Sequence, residues 1–301
     1  MYDMVIIGAG PAGLAAAVYG QRAEKKTLLI DEKGYGGQII NTPEVENYPA
    51  IQKISGFDFA NSLYQQASDL GAELTFEKAI AIEDKGGIKV VKTEGGSYEA
   101  KAVIVATGAK NRPLGLDREE ELTGKGIAYC ATCDGAFYRG KTVAVIGGGN
   151  TALEDADVLS SLAEKVYLIH RRDAFRGEES NVKRIQGKEN VEILLNKIPT
   201  ALLGEGKVQG LELEDKVSGE KIEIDLDGVF VAIGQMPDNE AFRQLIQLDD
   251  KGYVAAGEDC LTKTEGIFVA GDCRTKKVRQ LATAVADGAV AALAAVEYIY
   301  R

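Results

Sequence analysis

The stretch VIIGAGPAGL, residues 5–14, decides the fold class of this 301-residue chain. An apolar run leads into a turn with the spacing GxGxxG, and a helical pattern follows the turn. A second apolar run, residues 27–30, then ends at Asp31. The order strand, glycine turn, helix and strand, with an acidic residue at the end of the second strand, is typical of a dinucleotide-binding unit.

The three glycines of this turn have separate tasks. The first permits a tight turn, the second lets a pyrophosphate approach the backbone, and the third allows the helix to pack closely on the strand; they are Gly8, Gly10 and Gly13. The N–H groups and positive dipole at the start of the helix favour phosphate. Asp31 can accept hydrogen bonds from a ribose 2′-hydroxyl and would repel a 2′-phosphate.

The sequence repeats this unit from Val143 onward. An offset of 139 residues aligns the three glycines and the acid of the first copy with Gly147, Gly149, Ala152 and His170. In place of an acid, the second copy has His170, Arg171 and Arg172, with Arg176 further on. Cations at this point favour a 2′-phosphate, so we predict NADP(H) in the second unit and a dinucleotide without that phosphate in the first. The alternative is that HRRDAFR is a solvated loop end with ordinary surface charge.

Linker-like segments divide the chain. Residues 111–126 and 234–240 are rich in proline, glycine and charge. They predict an α/β protein with two dinucleotide-binding (Rossmann-like) domains, the second inserted into the first. The first domain comprises residues 1–111 and 236–301, and the second comprises residues 112–235.

Composition excludes several classes of function. The net charge of −11 disfavours binding to nucleic acid. We find no basic amphipathic helix, no apolar run long enough to span a bilayer, and no signal peptide at the N-terminus. We therefore expect a cytoplasmic protein with no membrane association.

The segment AYCATCDG, residues 128–135, places Cys130 and Cys133 three positions apart. Such a pair can be a metal clasp, a structural bond or a redox couple. A zinc site completed by Cys260 and Cys273 is one alternative, but those two residues form no second CxxC pair, and we predict no metal. We expect them instead to be buried and to behave as small hydrophobic residues.

The chain resembles the low-molecular-weight thioredoxin reductases, of the class II pyridine nucleotide-disulfide oxidoreductase family. The likeness covers nearly the whole length and depends on the order and spacing of several motifs: GAGPAG, GGQI with TPEVENYP (36–49), ATG, YCATCDG, GGGNTA, HRRDAFR, VAIGQMP, and GIFVAGDCR with RQLATAVADG. The resemblance implies FAD in the first domain, NADPH in the second, a redox disulfide between Cys130 and Cys133, thioredoxin as the protein partner, and a homodimer.

The resemblance also assigns binding residues. For FAD it implies Gly8, Gly10, Gly13, Asp31, Gly37, Gln38, Asn47, Asp272, Arg279, Gln280 and Ala282. For NADPH it implies Gly147, Gly149, Asn150, Thr151, His170, Arg171, Arg172 and Arg176. The family usually has aspartate and serine where this chain has Asn150 and Thr151, and we expect the replacements still to cap the helix.

The chemistry requires a relay, because direct hydride delivery from a nicotinamide to sulfur is unfavourable and a flavin can mediate it. The resemblance implies that Cys133 meets the flavin and that Cys130 attacks the partner's disulfide. Asp134 is the candidate proton donor; the alternative is a turn residue. A rival function keeps the scaffold but uses ferredoxin as donor or another small redox protein as acceptor. More distant alternatives are a non-catalytic redox sensor or a zinc module.

Overall fold

A computed structural model describes residues 1–42 and 44–301. Position 43, which lies inside the 36–49 motif, is outside the described residues. The chain divides into a first unit, residues 1–110 with 236–301, and a second unit, residues 111–235. The first boundary lies one residue before the expected position, and the second lies at the expected position, between residues 235 and 236.

The chain contains both strands and helices, with runs of consecutive strands in each unit. The strands are β1 (Tyr2–Ile7), β2 (Thr27–Ile30), β3 (Glu73–Thr75), β4 (Ala79–Asp84), β5 (Lys89–Thr93), β6 (Ser97–Val105), β7 (Ala109–Asn111), β8 (Ile127–Ala128), β9 (Thr142–Gly147), β10 (Lys165–His170), β11 (Val191–Leu195), β12 (Lys197–Leu203), β13 (Gly210–Asp215), β14 (Lys221–Asp225), β15 (Gly228–Ala232), β16 (Gln235–Pro237) and β17 (Ile267–Val269). The α-helices are α1 (Pro11–Arg22), α2 (Gly56–Asp69), α3 (Glu119–Leu122), α4 (Ala131–Asp134), α5 (Asn150–Ser160), α6 (Glu179–Gln186) and α7 (Leu281–Tyr300).

The first unit is built on a sheet with the order β3-β2-β1-β6-β5-β4, and β17 also pairs with β6. The strands β1, β2, β3, β6 and β17 are parallel, whereas β4 and β5 pair antiparallel. The central strands are apolar on both faces because both faces are covered. Helices α1 and α7 pack together on one face, and Phe242, Ile246 and Val254 cover part of the other.

The second unit has a five-stranded sheet with the order β11-β10-β9-β15-β8, and every pairing in it is parallel. Helix α5 contributes to the core on one face. The antiparallel strands β12, β13 and β14 contribute Leu202, Leu211 and Leu213 to the core on the other face. In each unit the strand that leads into the glycine turn, β1 or β9, lies between the strand that follows the turn and a later parallel strand. This arrangement confirms the predicted α/β class with two Rossmann-like sheets.

Helix α7 meets the length and hydropathy that a membrane span requires, so the expectation that no apolar run reaches that length was wrong. Within the first unit, however, this helix packs against α1 through Ala291, Ala292 and Ala295, all fully buried. Its 288 position is a glycine because a Cβ there would lie 2.1 Å from the carbonyl oxygen of Ala12. One face of α7 is therefore packed in the first unit, and 33% of its apolar stretch is buried.

Candidate functional site

The first glycine turn connects β1 to α1. Gly8 has a φ of +107°, and a Cβ on it would lie 2.2 Å from the carbonyl oxygen of Ala106. A Cβ on Gly13 would lie 1.9 Å from the carbonyl oxygen of Gly8. Gly10 is the N-cap of α1 and makes no side-chain cap, so the first N–H groups of the helix stay available to a ligand.

Asp31, at the end of β2, lies against this turn. Its Oδ2 accepts the N–H of Ala9 at 2.8 Å, and its Oδ1 accepts the N–H of Lys33 at 2.9 Å. The carboxylate is therefore fixed next to the glycines, where the sequence predicted it.

The segment after residue 36 closes over the same turn. The backbones of Gly37 and Gly10 lie close together, because a Cβ on Gly37 would lie 3.1 Å from the Cα of Gly10. The side chain of Gln38 donates to the carbonyl of Ala109. The Nδ2 of Asn47 donates to the Oε1 of Gln280 at 3.2 Å, which connects this segment to the start of α7.

The Gly271–Asp272 turn follows β17 and lies beside the start of α1. Gly271 has a φ of +80°, and a Cβ there would lie 2.8 Å from the Cβ of Ala12. Asp272 is half-buried, and its Oδ1 is a buried atom with no hydrogen-bond partner among the described residues. Burial raises the pKa of Asp272, and Lys276 and Arg279 oppose the increase. An unpartnered buried acceptor of this kind suits a hydroxyl donor on a ligand.

The residues after Asp272 complete this side of the first unit. Arg279 donates to the carbonyl of Asp272 at 3.3 Å, and its guanidinium lies 4.2 Å from the ring centroid of Tyr253. Gln280 is the N-cap of α7 and forms a capping box with Thr283. Ala282 lies in the first turn of the helix. The fold thus brings the residues predicted to bind FAD together around one glycine turn.

The second glycine turn connects β9 to α5. Gly149 is the N-cap of α5, and a Cβ there would meet nothing within 4 Å. The expectation that Asn150 and Thr151 cap the helix was wrong, because the helix begins at Asn150 and has no side-chain cap. The Oδ1 of Asn150 instead accepts the N–H of Glu178 at 2.7 Å, and this bond holds the loop before α6 against the turn.

His170, at the end of β10, is nearly fully buried. Its ring fills the space beside Gly148, where a Cβ would lie 2.1 Å from the Cε1 of His170, and it stacks on Phe175 with ring centroids 5.5 Å apart. Burial lowers the pKa of His170, with a further contribution from nearby arginines, so the ring is neutral at pH 7. Its Nε2 has no hydrogen-bond partner in the described chain.

Three exposed arginines surround this histidine: Arg171, Arg172 and Arg176. Within the described residues none of these three forms an ion pair, whereas five other arginines of the chain do. The N–H of Arg176 donates to the carbonyl of Gly148 at 2.7 Å, which fixes this backbone against the glycine turn. Unpaired guanidinium groups at this point suit a dianionic phosphate.

Cys130 and Cys133 form a disulfide at the start of α4, with their Cα atoms 5.3 Å apart. Cys130 is the N-cap of this short helix, and its Sγ accepts the N–H of Cys133 at 3.2 Å. Both residues are half-buried, so the pair is accessible. The second unit therefore carries the disulfide as well as the second glycine turn.

Asp134 ends α4, directly after the disulfide. Burial raises the pKa of its carboxyl to about 6. Burial raises the pKa of the neighbouring Tyr138 to about 12, with a further contribution from the charge of Asp134. A carboxyl with such a pKa can hold or release a proton near neutral pH.

Asp155, on α5, is a second carboxyl near the disulfide that the sequence reasoning missed. Burial raises its pKa to about 7, although a hydrogen bond from the backbone of Ala131 lowers it. A signal for it exists in the sequence, since Asp155 lies three residues after Ala152 and four before Leu159, on the apolar face of the helix.

Cys260 and Cys273 are free and fully buried in the first unit, as predicted. Burial raises the pKa of Cys260 to about 12 and that of Cys273 to about 11. Both are therefore thiols at neutral pH, and a thiol is a poor nucleophile.

Two nucleotide-type turns and an accessible disulfide define a class of redox protein, and comparison with known proteins gives the same class. A family model described as pyridine nucleotide-disulphide oxidoreductase matches residues 2–288, and the chain belongs to this family.

Within that family, relatives that match over nearly their full length include thioredoxin reductases. Those of Peptoclostridium acidaminophilum and Bacillus subtilis are each 42% identical to this chain; each alignment covers 99% of the chain, and 97% and 95% of the relatives. The crystal structure of the thioredoxin reductase of Streptococcus pyogenes superposes with a TM-score of 0.95 at 38% identity, over 100% of this chain and 98% of that one. The family predicted from the motifs is confirmed, and the chain is an oxidoreductase of the thioredoxin reductase type.

Proposed function

We propose that this enzyme passes electrons from NADPH, through FAD and the Cys130–Cys133 disulfide, to thioredoxin. FAD would bind the domain of residues 1–111 and 236–301, and NADPH the domain of residues 112–235. The observation that carries the proposal is the accessible disulfide in the same unit as an arginine-flanked glycine turn. Neither a redox sensor nor a zinc module needs that combination.

Three features of the first unit fit FAD. The helix N-terminus at Gly10 has no side-chain cap and suits a pyrophosphate. The carboxylate of Asp31 lies beside the turn and suits a ribose hydroxyl. The unpartnered Oδ1 of Asp272 suits a further hydroxyl of the cofactor.

NADPH fits the second unit for a different reason. Arg171, Arg172 and Arg176 are exposed and unpaired among the described residues, and they could bind the 2′-phosphate through charge-assisted hydrogen bonds. Gly149 leaves open space at the helix N-terminus for the pyrophosphate. The neutral ring of His170 packs against Gly148 of the turn. The contact predicted between His170 and the cofactor stays a prediction.

Bound FAD would supply the two-electron chemistry that connects a nicotinamide to a disulfide. The chain's own part is the handling of sulfur and protons. We assign to Cys130 the attack on the partner's disulfide, since its Sγ already accepts the N–H of Cys133 and the same bond would stabilise a thiolate. We assign to Cys133 the place next to the flavin, as the family resemblance implies.

Asp134 is the proposed proton donor and acceptor. Reduction of a disulfide to two thiols consumes two protons, so a titratable group near the sulfurs is required. The carboxyl of Asp134 follows Cys133 directly and has a pKa of about 6, which permits proton exchange near neutrality.

A homodimer in the cytoplasm completes the proposal. Val290 and Leu293 on α7 are partly exposed apolar side chains, which supports burial against a second copy. Sedimentation of the flavin-loaded protein would test the dimer, and a monomer at micromolar concentration would contradict it.

The decisive experiment mixes the flavin-loaded enzyme with NADPH under anaerobic conditions. We expect rapid bleaching of the flavin absorbance, followed by thioredoxin reduction that NADH supports poorly. Failure of NADPH to bleach the flavin, together with bleaching by reduced ferredoxin, would favour the rival donor. Bleaching without thioredoxin reduction would favour a different acceptor, and a colourless protein unable to bind FAD would refute the flavoprotein scheme.

A further inference from the structure

A group of buried charges lies behind the Gly271–Asp272 turn. The side chains of Arg274, Lys276 and Asp287 are only 1%, 4% and 7% exposed. Asp287 lies within the RQLATAVADG motif, where the family resemblance assigns it no binding role, and Lys276 lies outside the quoted motifs. Charges so deeply buried are rare unless they are paired, so the arrangement calls for a physical reason.

Asp287, on α7, is the centre of this group. Its Oδ2 accepts Nε of Arg274 at 2.8 Å and Nζ of Lys276 at 2.9 Å, and its Oδ1 accepts Nη2 of Arg274 at 2.9 Å. Burial alone would raise the pKa of Asp287, but hydrogen bonds from Arg274 and Lys276 outweigh it and lower the pKa. The carboxylate is therefore charged at neutral pH.

One further bond distinguishes this carboxylate from a simple ion pair. The Oδ2 of Asp287 also accepts the backbone N–H of Gly271 at 3.0 Å. Gly271 immediately precedes Asp272, whose Oδ1 is buried and unpartnered in the described chain. The buried charges are thus connected directly to the residue that we expect to meet the flavin.

The turn is held from the opposite side as well. Gly271 is in contact with Ala12 at the start of α1, and its φ of +80° is one that a residue with a side chain rarely adopts. With Ala12 on one side and Asp287 on the other, the peptide of Gly271 has little freedom to rotate. The direction in which the Asp272 side chain leaves the backbone follows from that peptide.

Stability alone is a weak explanation for the group. Replacing buried ion pairs by apolar residues of similar size is often neutral or stabilising. To hold the backbone N–H of Gly271 in one orientation, in contrast, a hydrogen-bond acceptor must lie at a fixed position. Apolar packing cannot supply such an acceptor.

We propose that Asp287 is a positioning residue for the flavin: clamped by Arg274 and Lys276, its carboxylate holds the peptide of Gly271 and thereby aims Asp272 at the cofactor. This inference rests on the proposed function, since it assumes that FAD occupies the first unit. Asp287 itself contacts no reacting atom in this scheme.

The test compares Asp287→Asn with Glu258→Gln in the full chain. Glu258 is the matched control because its carboxylate also accepts Nη2 of Arg274, at 2.9 Å, yet it is 89% exposed and makes no bond to Gly271. The measured quantities are the dissociation constant of FAD, the visible spectrum of the bound flavin and its midpoint potential. Circular dichroism and thermal unfolding verify that each variant is folded.

We expect Asp287→Asn to raise the dissociation constant of FAD at least about tenfold and to change the spectrum and potential, because Asp272 is no longer aimed. Glu258→Gln should match the wild type within about twofold. If Asp287→Asn does not fold, Lys276→Met with Asp287→Asn removes one charge of each sign, leaves Arg274 paired with Glu258, and should show the same flavin changes.

The outcomes separate the two proposals. A wild-type protein that binds no FAD would overturn the proposed function. A folded Asp287 variant with wild-type affinity, spectrum and potential, alongside an Asp272→Asn variant in which these change, would overturn the positioning role alone.

Discussion

The two glycine turns share their backbone geometry at the helix N-cap but differ in electrostatics. Gly10 and Gly149, the N-caps of α1 and α5, have φ and ψ of −74° and −177°, and of −98° and −178°. At the end of the second strand, one unit has the carboxylate of Asp31 bonded to the turn, and the other has the ring of His170 packed on it. Under the proposed function, the shared N-cap geometry would bind a pyrophosphate in each unit. The charge near the strand end, Asp31 in one unit and Arg171 with its neighbouring arginines in the other, would then select the dinucleotide.

The cysteines of the two units also differ, in their burial and in their bonding. Cys260 and Cys273 are buried in the first unit, and their pKa values are raised by burial. Cys130 and Cys133, in the second, lie half-buried at a helix start and form a disulfide. Environment, and not residue type, separates inert from reactive sulfur.

The largest expected effect, on thioredoxin turnover, tests the contrast between the disulfide cysteines and the buried free cysteines. Cys133→Ser removes the disulfide and should reduce thioredoxin turnover at least about 10³-fold, because no dithiol remains to pass electrons on. Cys260→Ala is the matched control and should leave turnover near that of the wild type. Steady-state NADPH oxidation with thioredoxin is the measurement, and equal losses in both variants would refute the contrast.

The next effect concerns the third glycine of each turn. Gly13→Ala places a Cβ 1.9 Å from the carbonyl oxygen of Gly8 and should cost about 3 kcal/mol of unfolding free energy. Ala152→Gly in the second unit should cost about 1 kcal/mol or less, through helix propensity and a lost methyl group. Urea unfolding of both variants measures the difference, and similar losses would show that the turns are packed alike.

Asp134→Asn tests whether Asp134 is the proton donor for the Cys130–Cys133 pair. Loss of the proton donor should slow thioredoxin reduction about 10²-fold. In the wild type the protonated form of Asp134 declines as pH rises through about 6, so the rate of the thiol–disulfide step should fall over that range. The variant should lack this dependence in stopped-flow measurements; an unchanged rate and profile would make Asp134 a turn residue.

Arg171→Ala tests the charge difference between the turns. Removal of one guanidinium should raise the KM for NADPH about 30-fold, because a charge-assisted bond to the 2′-phosphate is lost. NADH lacks that phosphate and serves as the internal control, so its KM should stay unchanged. A parallel rise for both nucleotides would indicate a general effect on the turn.

The last expected effect is on stability alone and belongs to Asp155→Asn. The folded-state pKa of Asp155, about 7, is above its ordinary value of 3.8, so the wild type loses stability as pH rises from about 4 through 7. The asparagine variant should therefore gain up to about 3 kcal/mol relative to the wild type at pH 8 compared with pH 4.5. Thermal unfolding at the two pH values checks this, and a pH-independent difference would contradict the buried acid.

Features encoded within a few residues were predictable from the sequence. Local patterns of this kind are the glycine spacings, Asp31, the arginines and the CxxC pair. The internal repeat predicted the two sheets. The sequence aligns Ala152 with the third glycine but does not show why the residues differ. In the structure a Cβ on Gly13 would lie 1.9 Å from the carbonyl oxygen of Gly8, whose φ is positive, whereas Gly147 has no positive φ and Ala152 is accommodated.

What the sequence could not provide depends on which side chains face each other. The helix that carries Asp287 reads as a run of small residues, and nothing in that run reveals that Arg274 and Lys276 converge on one carboxylate. His170 was counted among the cations because it precedes two arginines. Only the packing against Gly148 reveals a buried neutral ring.

The short strands β7 and β16 pair as a two-stranded sheet where the chain leaves the first unit and returns to it. Paired strands are about 4.8 Å apart, so excising residues 111–235 would leave two cut ends that a few glycines could rejoin. We therefore expect that a deletion variant of roughly 180 residues, which lacks the disulfide and the three exposed arginines, can be made to test whether the first unit binds FAD by itself.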